Sequence, residues 1–410
     1  MWKAIIERVL TRLITWGELT VTYPDGSQSR YGPGGGIASA LKITSDRAVR
    51  ELCYSPPLAL GEGYMRGDIQ IPDDELDQLF RLLLRNQHLA AMPAWHRASR
   101  ALQTRFAMFM QRNTTLTARK NVAHHYDISD DLYRLFLDAD MQYSCAYFSR
   151  ADMTLEEAQE AKKAHIAKKL LIEPDMRVLD IGCGWGGMAI TLALDWGARV
   201  VGVTLSENQL ATAQARAEAA GVADRVEFRL QDYRTITDSF DRIVSVGMLE
   251  HVGVPHYRAY FEKVDELLGA DGVALIHSIF KSGPPRPNNA WIDKYIFPGS
   301  YAPSASEIYA ALEHAWLIPQ DDECLRLHYA YTLREWHRRF EANKDKIDAM
   351  FDAAFVRMFR FYLAAMAASF ADGQMHVQQL QLAKHMRATP ITRDYLHQTA
   401  SAPSERLAAE

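Results

Sequence analysis

The sequence has few cysteines and none of the spacings that a disulfide framework or a zinc module requires. Four cysteines occur in 410 residues, with no CxxC pair, and they are Cys53, Cys145, Cys183 and Cys324. Long uninterrupted hydrophobic runs are also missing. The apolar N-terminus contains Lys3, Glu7 and Arg8, and the run at 361–370 is too short to cross a bilayer. The sequence thus predicts a cytoplasmic globular protein of two or three structural units.

Acidic residues are absent from 78–126, although the whole chain has a net charge of −5. The basic residues of this segment are Arg81, Arg85, Arg97, Arg100, Arg105, Arg112, Arg119 and Lys120. A local positive charge on an acidic protein favours a phosphate-bearing partner, above all an anionic membrane surface. The alternative is that these arginines pair with acidic residues across a domain interface. Nucleic acid is disfavoured, because the chain is negative overall and carries no recognition motif.

Two regions with different patterns divide the chain near residue 120. Residues 2–14 have a helical apolar periodicity, which favours a helix packed on its own domain over one lying on a membrane. ELTVTY, PDGS and QSRYG predict a hairpin, and LALGEGYMRGDIQIP predicts a second β-rich patch. Residues 1–120 are therefore expected to form a small mixed α/β domain with a basic linker. From 121 to 410, strands alternate with helices and predict a doubly wound parallel sheet, followed by a helical region at 333–370.

The strongest chemical signal is VLDIGCGWG at 178–186, a strand that runs into Gly182, Gly184 and Gly186. Such a turn lets a ligand approach the backbone at the carboxyl edge of a parallel sheet. A dinucleotide enzyme would also need an acid about 20 residues later to bind the ribose, but none occurs between Asp195 and Glu207. Asp180 before the turn favours the class I S-adenosylmethionine methyltransferases over a dinucleotide enzyme or a purely structural turn.

Further segments make the sequence similar to the cyclopropane fatty acid synthase family, which includes the mycolic acid cyclopropane synthases. The matching segments are HHYDISDDLYRLFLDADMQYSCAYF, VLDIGCGWGG, GVTLSENQ, SVGMLEHVG, ALIHSI, YIFPG and HYAYTLREW. They cover roughly residues 121–390. The resemblance implies a Rossmann-like methyltransferase domain with a helical acyl-binding cap, preceded by an N-terminal lipid-engaging domain.

The resemblance also implies a reaction and a catalytic set. A methylene passes from S-adenosylmethionine to the cis double bond of an unsaturated phospholipid acyl chain, and a bound bicarbonate acts as the base. The residues carried over are Cys145, Glu250, His277, Ile279 and Tyr329. Taken singly, Cys145 could be an ordinary packed cysteine and Glu250 could mark the start of a helix. His277 and Tyr329 could be core residues with no catalytic role. A methyl-branched or methylene product, or a non-catalytic lipid carrier with the same scaffold, remains open at this point.

For the methyl donor, the resemblance implies binding residues in five segments. They are Tyr126, Tyr143, Ser144, Asp180, Gly182, Gly184, Thr204, Leu205, Gln209, Asp232 and Tyr233. Tyr233 replaces a tryptophan of the mycolate relatives and keeps a flat stacking face. The loop Gly299–Ser304 departs from the family pattern, which puts the acyl-chain preference in doubt.

The resemblance and the sequence also lead to predictions about binding partners and metal sites. The implied partners are an unsaturated phospholipid and an anionic membrane surface, on which the protein would be peripheral, and relatives suggest a homodimer. His124 and His125 are adjacent, so their side chains point apart, and no acidic or cysteine partner stands nearby. No metal site is expected.

Overall fold

The computed structural model describes residues 1–89 and 129–397. Several expectations lie outside these ranges: the boundary near residue 120, Tyr126, His124 and His125. The same holds for the basic residues Arg97, Arg100, Arg105, Arg112, Arg119 and Lys120. These stay predictions.

The first 89 residues form a four-stranded sheet packed against helices. The elements are α1 (Trp2–Leu13), β1 (Gly17–Thr22), β2 (Gln28–Gly34), β3 (Ala38–Ile43), α2 (Asp46–Tyr54), α3 (Pro56–Arg66), β4 (Ile69–Gln70) and α4 (Leu76–Leu89). The strand order is β2-β1-β3-β4. The predicted hairpin is present as β1 and β2, because Gly26 N–H donates to Tyr23 C=O and Asp25 accepts from Ser27 N–H in the turn.

The predicted β-rich patch at LALGEGYMRGDIQIP is wrong for most of its length. Two prolines begin helix α3, and Gly67 ends it in the left-handed conformation at φ 82°. A Cβ at Gly61 would overlap the indole nitrogen of Trp291, so this glycine serves close helix packing and not a turn. Only β4 remains of the expected strands.

The second part of the chain forms a seven-stranded sheet of order β10-β11-β9-β8-β5-β6-β7. Its elements are α5 (Asp130–Phe136), α6 (Leu155–Lys169), β5 (Arg177–Ile181), α7 (Gly187–Trp196), β6 (Arg199–Thr204), α8 (Glu207–Ala219), β7 (Val226–Leu230), β8 (Phe240–Val246), α9 (Tyr257–Leu267), β9 (Leu268–Lys281), α10 (Ala290–Tyr295), α11 (Ala305–Leu312), β10 (Ile318–Cys324), α12 (His328–Ala342), α13 (Lys344–Met350), α14 (Ala353–Ala371) and β11 (Met375–Ala383). Strands β5 to β9 are parallel, and β11 and β10 are antiparallel. The predicted doubly wound, Rossmann-like α/β fold is confirmed.

Helix α14 joins the two parts of the molecule. It packs against α3 and α4 on one side and α12 on another, and Arg81 and Arg360 make ion pairs across the junction, to Asp372 at 2.6 Å and to Asp74 at 2.7 Å. Within the described residues, α14 is the one helix whose length and composition would allow a membrane span. The apolar run at 361–370 is the C-terminal part of this helix, which begins at Ala353 and is longer than that run. Since 56% of this apolar stretch is buried inside the protein, its hydrophobicity fits a core helix equally well.

Candidate active site

A cavity opens at the carboxyl ends of β5, β6, β7 and β8, where open α/β folds bind ligands. It encloses about 870 Å³ including its mouth, a size typical of cofactor sites. Seven residues implied for the methyl donor line it: Gly182, Gly184, Thr204, Leu205, Gln209, Asp232 and Tyr233. The alternation of strands and the glycine turn therefore bring together residues from three separate segments.

The glycine turn after β5 forms the floor of this cavity. Gly184 adopts φ 54°, and Gly186 adopts φ 83° where a Cβ would lie 2.6 Å from the ring of Phe228. Side chains at these positions would be strained or would clash, so glycine is required here. The N–H groups of Gly182 and Cys183 both donate to Val203 C=O, which fixes the turn to β6.

Polar groups at the ends of β6 and β7 are already held in place by neighbours. Thr204 Oγ1 donates to Gln209 Oε1 at 2.9 Å, and the Asp232 carboxylate accepts from the Arg234 guanidinium at 2.6 Å. Tyr233 packs its ring against Tyr260 at a centroid distance of 5.4 Å, and burial raises the pKa of Tyr233 to about 12. Its hydroxyl is therefore neutral at physiological pH.

The sequence analysis missed several residues of the cavity wall. They are Gln231, Arg234, Gly247, Met248, His251, Val252 and His256, together with the strand residues Ile181, Val203 and Val246. Burial lowers the pKa of His251 to about 4, so its imidazole is neutral. The signal for His251 was its place in the MLEHVG segment, directly after Glu250.

Asp180 lies behind the cavity, next to Ile181 and Gly182 in the wall. It is buried in β5, and its Oδ2 atom has no hydrogen-bond partner within the described chain. Burial raises the pKa of Asp180 to about 7. A carboxyl group this costly to bury usually marks a functional position.

The structure joins Glu250 and Ile279 of the implied catalytic set, and His277 lies two residues before Ile279 in β9. Glu250 Oε1 accepts from Ile279 N–H at 2.7 Å. Its Oε2 is buried without a hydrogen bond of good geometry among the described residues, although the nearby Ser278 hydroxyl acts to lower the pKa of the carboxyl group. Burial raises the pKa of Glu250 and lowers that of His277, which favours the neutral forms of both. Gln379 Nε2 contacts His277 Nδ1 at 3.2 Å, and Gly247 of the cavity wall donates to His277 C=O. This group therefore borders the cavity.

Cys145 and Tyr329 lie in a second group, around helix α12. The N–H of Ala146, next to Cys145, donates to Thr332 Oγ1 at 3.0 Å, and Tyr329 is one turn earlier on that helix. Burial raises the pKa of the Cys145 thiol, so the thiol is protonated and is a poor nucleophile. Tyr329 packs on Phe370 at a centroid distance of 4.6 Å.

Tyr143 and Ser144, two residues implied for the methyl donor, do not line the cavity. Tyr143 stacks on Trp336 at 5.1 Å, and its hydroxyl is 2.9 Å from that of Tyr362. Ser144 Oγ accepts from Lys162 Nζ at 2.9 Å. Tyr143 belongs to a buried aromatic cluster whose other members are Tyr133, Phe136, Trp185, Phe297, Tyr329, Trp336, Phe340, Phe359, Tyr362 and Phe370.

Metal ligands do not cluster in the part of the chain that the structure describes: no group of three or more His, Cys, Asp or Glu side chains could hold an ion there.

Comparison with known proteins places this geometry in a family. The family model described as mycolic acid cyclopropane synthetase matches residues 113–380, and a domain of unknown function matches residues 5–92. The chain is 37% identical to the cyclopropane-fatty-acyl-phospholipid synthase of Escherichia coli, over 86% of this chain and 90% of that protein. It is 34% identical to a tuberculostearic acid methyltransferase of Mycobacterium tuberculosis, over 92% of this chain and 91% of that one.

A solved structure gives the same result. The mycolic acid cyclopropane synthase CmaA1, complexed with SAH and CTAB, superimposes with a TM-score of 0.62 at 35% identity, covering 64% of this chain and 97% of that one. The cavity at the strand ends, its glycine turn and these similarities agree. The chain belongs to the mycolic acid cyclopropane synthetase family and is an S-adenosylmethionine-dependent methyltransferase.

Proposed function

We propose that the protein transfers a methylene from S-adenosylmethionine to the cis double bond of an unsaturated phospholipid acyl chain and forms a cyclopropane ring. The observation that carries this proposal is the buried carboxyl group of Glu250, which Ile279 N–H holds at the edge of the cofactor cavity and whose Oε2 has no hydrogen bond of good geometry in the described chain. Family membership and the similarity to the E. coli enzyme support the same chemistry.

The cavity residues fit the methyl donor. The glycine turn leaves backbone exposed where side chains would clash, and Tyr233 offers an aromatic wall. We propose that Gly182, Gly184, Thr204, Leu205, Gln209, Asp232 and Tyr233 hold the donor directly, with Asp180 behind them, and that Tyr143 and Ser144 close the end facing the aromatic cluster. Tyr126 stays a predicted contact outside the described residues. S-adenosylmethionine supplies an electrophilic methyl group when bound.

The aromatic cluster suits the acyl chain. An alkene is a weak nucleophile, and its methylation places positive charge on the lipid, which water would quench. Aromatic faces attract a cation, and a dry pocket keeps the two reactants in near-attack geometry. In this structure the rings of Tyr329 and Trp336 are buried, and the half-buried ring of Tyr143 stacks on Trp336 two residues before Cys145.

Ring closure releases a proton, and the implied base is bicarbonate. Cys145, Glu250, His277, Ile279 and Tyr329 would hold it, and it would supply a general base in an otherwise apolar site. The fit is good at Glu250, because the neutral carboxyl group can donate its Oε2 proton to a bicarbonate oxygen. At Ile279 the fit differs from the resemblance: its N–H already donates to Glu250 Oε1, so Ile279 orients the carboxyl group.

A methyl-branched or methylene product is the second candidate. It is favoured by the similarity to the tuberculostearic acid methyltransferase, which covers more of the chain than the E. coli match. Loss of a proton from the new methyl group closes the cyclopropane ring. A methylene forms when a hydride shift in the same cation precedes the proton loss, and a saturated methyl branch also requires a hydride donor.

Product analysis tests the proposal. Purified protein is incubated with methyl-labelled S-adenosylmethionine and vesicles of monounsaturated phospholipid, and the fatty esters are examined by mass spectrometry and proton NMR. We expect a gain of one labelled CH2 and upfield ring-methylene resonances. Olefinic or branched-methyl resonances would select the second candidate, and unmodified lipid would refute both.

The phospholipid substrate requires contact with a membrane, and we propose a peripheral, cytoplasmic association with an anionic surface. Helix α1 supports it: Ile5 and Val9 are exposed between the exposed cations Arg8 and Arg12 on one side of the helix. Arg81, by contrast, pairs with Asp372. This contact agrees with the alternative that arginines of 78–126 pair with acidic residues across a domain interface. A homodimer stays a prediction.

A further inference from the structure

Helix α6 buries three lysines, and one of them differs from the other two. Lys163 pairs with Asp140 at 2.8 Å and Lys169 with Glu323 at 2.6 Å. Lys162 is fully buried, yet no carboxylate of residues 1–89 or 129–397 lies within 4 Å of its ammonium. It donates only to neutral oxygens, those of Gln142 at 2.5 Å and Ser144 at 2.9 Å. Asp138, Asp140 and Asp180 act on it only from a longer distance. A buried ammonium without a directly paired carboxylate is costly, so a function is expected for it.

The contact with Lys162 determines what Ser144 can do. An ammonium group has three donors and no acceptor, so Ser144 Oγ must be the acceptor in this hydrogen bond. The hydroxyl proton of Ser144 is then directed elsewhere, and it has no acceptor within the described chain. Gln159 Nε2 donates to Ser144 C=O at 3.0 Å and fixes the backbone as well. Ser144 is half-buried, whereas Lys162 behind it is not accessible.

We propose that Lys162 is a positioning residue that fixes the Ser144 hydroxyl as a donor to the carboxylate of the methionine moiety of S-adenosylmethionine. This carboxylate is the one anionic group of the cofactor, and the ammonium stabilises it through the polarised hydroxyl. Asp180, whose Oδ2 is unpartnered, complements Lys162 by attracting the cofactor's ammonium group. The inference rests on the use of the cofactor and not on the lipid chemistry.

Bicarbonate presents the same planar O–C–O edge, and Cys145 of the implied anion set follows Ser144 directly in the chain. The two sources differ in one respect that can be measured. Only the cofactor carboxylate is part of a ligand that can be shortened, because 5′-methylthioadenosine keeps the nucleoside and lacks the whole amino-acid group together with the sulfonium charge.

The test compares Lys162→Met with the matched control Lys163→Met, which removes the neighbouring buried ammonium. Affinities for S-adenosylmethionine and 5′-methylthioadenosine are measured by calorimetry on the full chain without lipid. Lys162→Met should weaken S-adenosylmethionine roughly 10- to 100-fold, the range for a charge-assisted hydrogen bond, and leave 5′-methylthioadenosine unchanged. Lys163→Met should not change the ratio of the two affinities.

Ser144→Ala keeps the test informative if Lys162→Met is unstable, because it should reproduce the selective loss. If Lys162→Met is stable, the double variant should be no weaker than either single one, because both act through one contact. Burial, with the neighbouring charge of Lys163, lowers the pKa of Lys162 to about 8 against the opposing effect of Asp138, Asp140 and Cys145. Asp180 and His277 also face this ammonium. The wild-type affinity for S-adenosylmethionine should thus fall above about pH 8 more steeply than that of Lys162→Arg, which stays charged.

Equal weakening of both ligands, or an unchanged affinity for S-adenosylmethionine, would overturn the inference. In the second case the melting temperature is measured with and without added sodium bicarbonate. A stabilisation by bicarbonate that Lys162→Met abolishes would assign the ammonium to the inorganic anion instead.

Discussion

Two buried carboxyl groups, Asp180 and Glu250, have no cation within 4 Å in the described chain. Each keeps one oxygen without a partner, and burial raises the pKa of both. Such groups lower the stability of the free protein, and they persist where function requires them. Asp180 lies behind the cofactor cavity and Glu250 at its edge. Substitutions at the two positions should therefore have different effects.

Asp180→Asn should stabilise the free protein at alkaline pH. The pKa of Asp180 is about 7 in the folded state and about 4 in the unfolded chain. Between these values the folded state binds a proton that the unfolded chain has lost, so stability falls as pH rises to about 7 and stays reduced above it. Urea unfolding at about pH 8 should give a gain of up to roughly 4 kcal/mol for Asp180→Asn. The gain should vanish near about pH 4, and a pH-independent gain would contradict the assignment.

Glu250→Gln should abolish most turnover and leave cofactor binding nearly intact. The amide keeps the contact with Ile279 N–H but cannot accept and release a proton. We expect a loss of at least about 100-fold in kcat with little change in the Kd for S-adenosylmethionine. Asp180→Asn is the matched comparison, since it should weaken cofactor binding. Normal turnover of Glu250→Gln on vesicles of monounsaturated phospholipid would remove Glu250 from the catalytic set.

At the scale of elements, helix α3 is held against α10 by close packing at a glycine. Gly61→Ala would normally stabilise a helix by about 1 kcal/mol. Here the added methyl group overlaps the Trp291 indole, so we expect a net loss of about 1–3 kcal/mol in the free energy of unfolding. The loss should be smaller in a Trp291→Phe background, where the ring is smaller. An equal loss in both backgrounds would place the strain elsewhere.

The same helix marks the limit of prediction from sequence. The hairpin at Pro24–Gly26 and the alternating strands and helices were predictable, because their signals are local. The segment around Gly61 was expected to be β-rich, because the packing partner of this glycine is 230 positions away, in α10. The cavity residues after each strand followed from the resemblance to the cyclopropane fatty acid synthase family. Lys162 lies in a charged helix, and its sequence context gave no sign that it is buried. Non-local contacts decide these features.

At the scale of the whole molecule, the proposed membrane contact involves α1. The double variant Arg8→Glu/Arg12→Glu should bind anionic phospholipid vesicles less tightly and with less salt dependence, since each basic residue near such a surface contributes about 1 kcal/mol. Arg258→Glu/Arg338→Glu makes the same change in net charge at two other exposed arginines and should bind like the wild type. Co-sedimentation at increasing salt measures both. Equal binding of the two double variants would exclude α1 from the contact.

The junction at α14 also has a consequence for synthesis on the ribosome. Arg81 and Asp372 lie 291 residues apart in the chain, and the apolar side chains of α3 and α4 that pack on α14 emerge long before it does. At the usual rates of translation their partner follows about 15 to 60 s later. The first 89 residues thus wait with an uncovered surface, and trigger factor-like chaperones that bind emerging apolar segments should engage this stretch until α14 arrives.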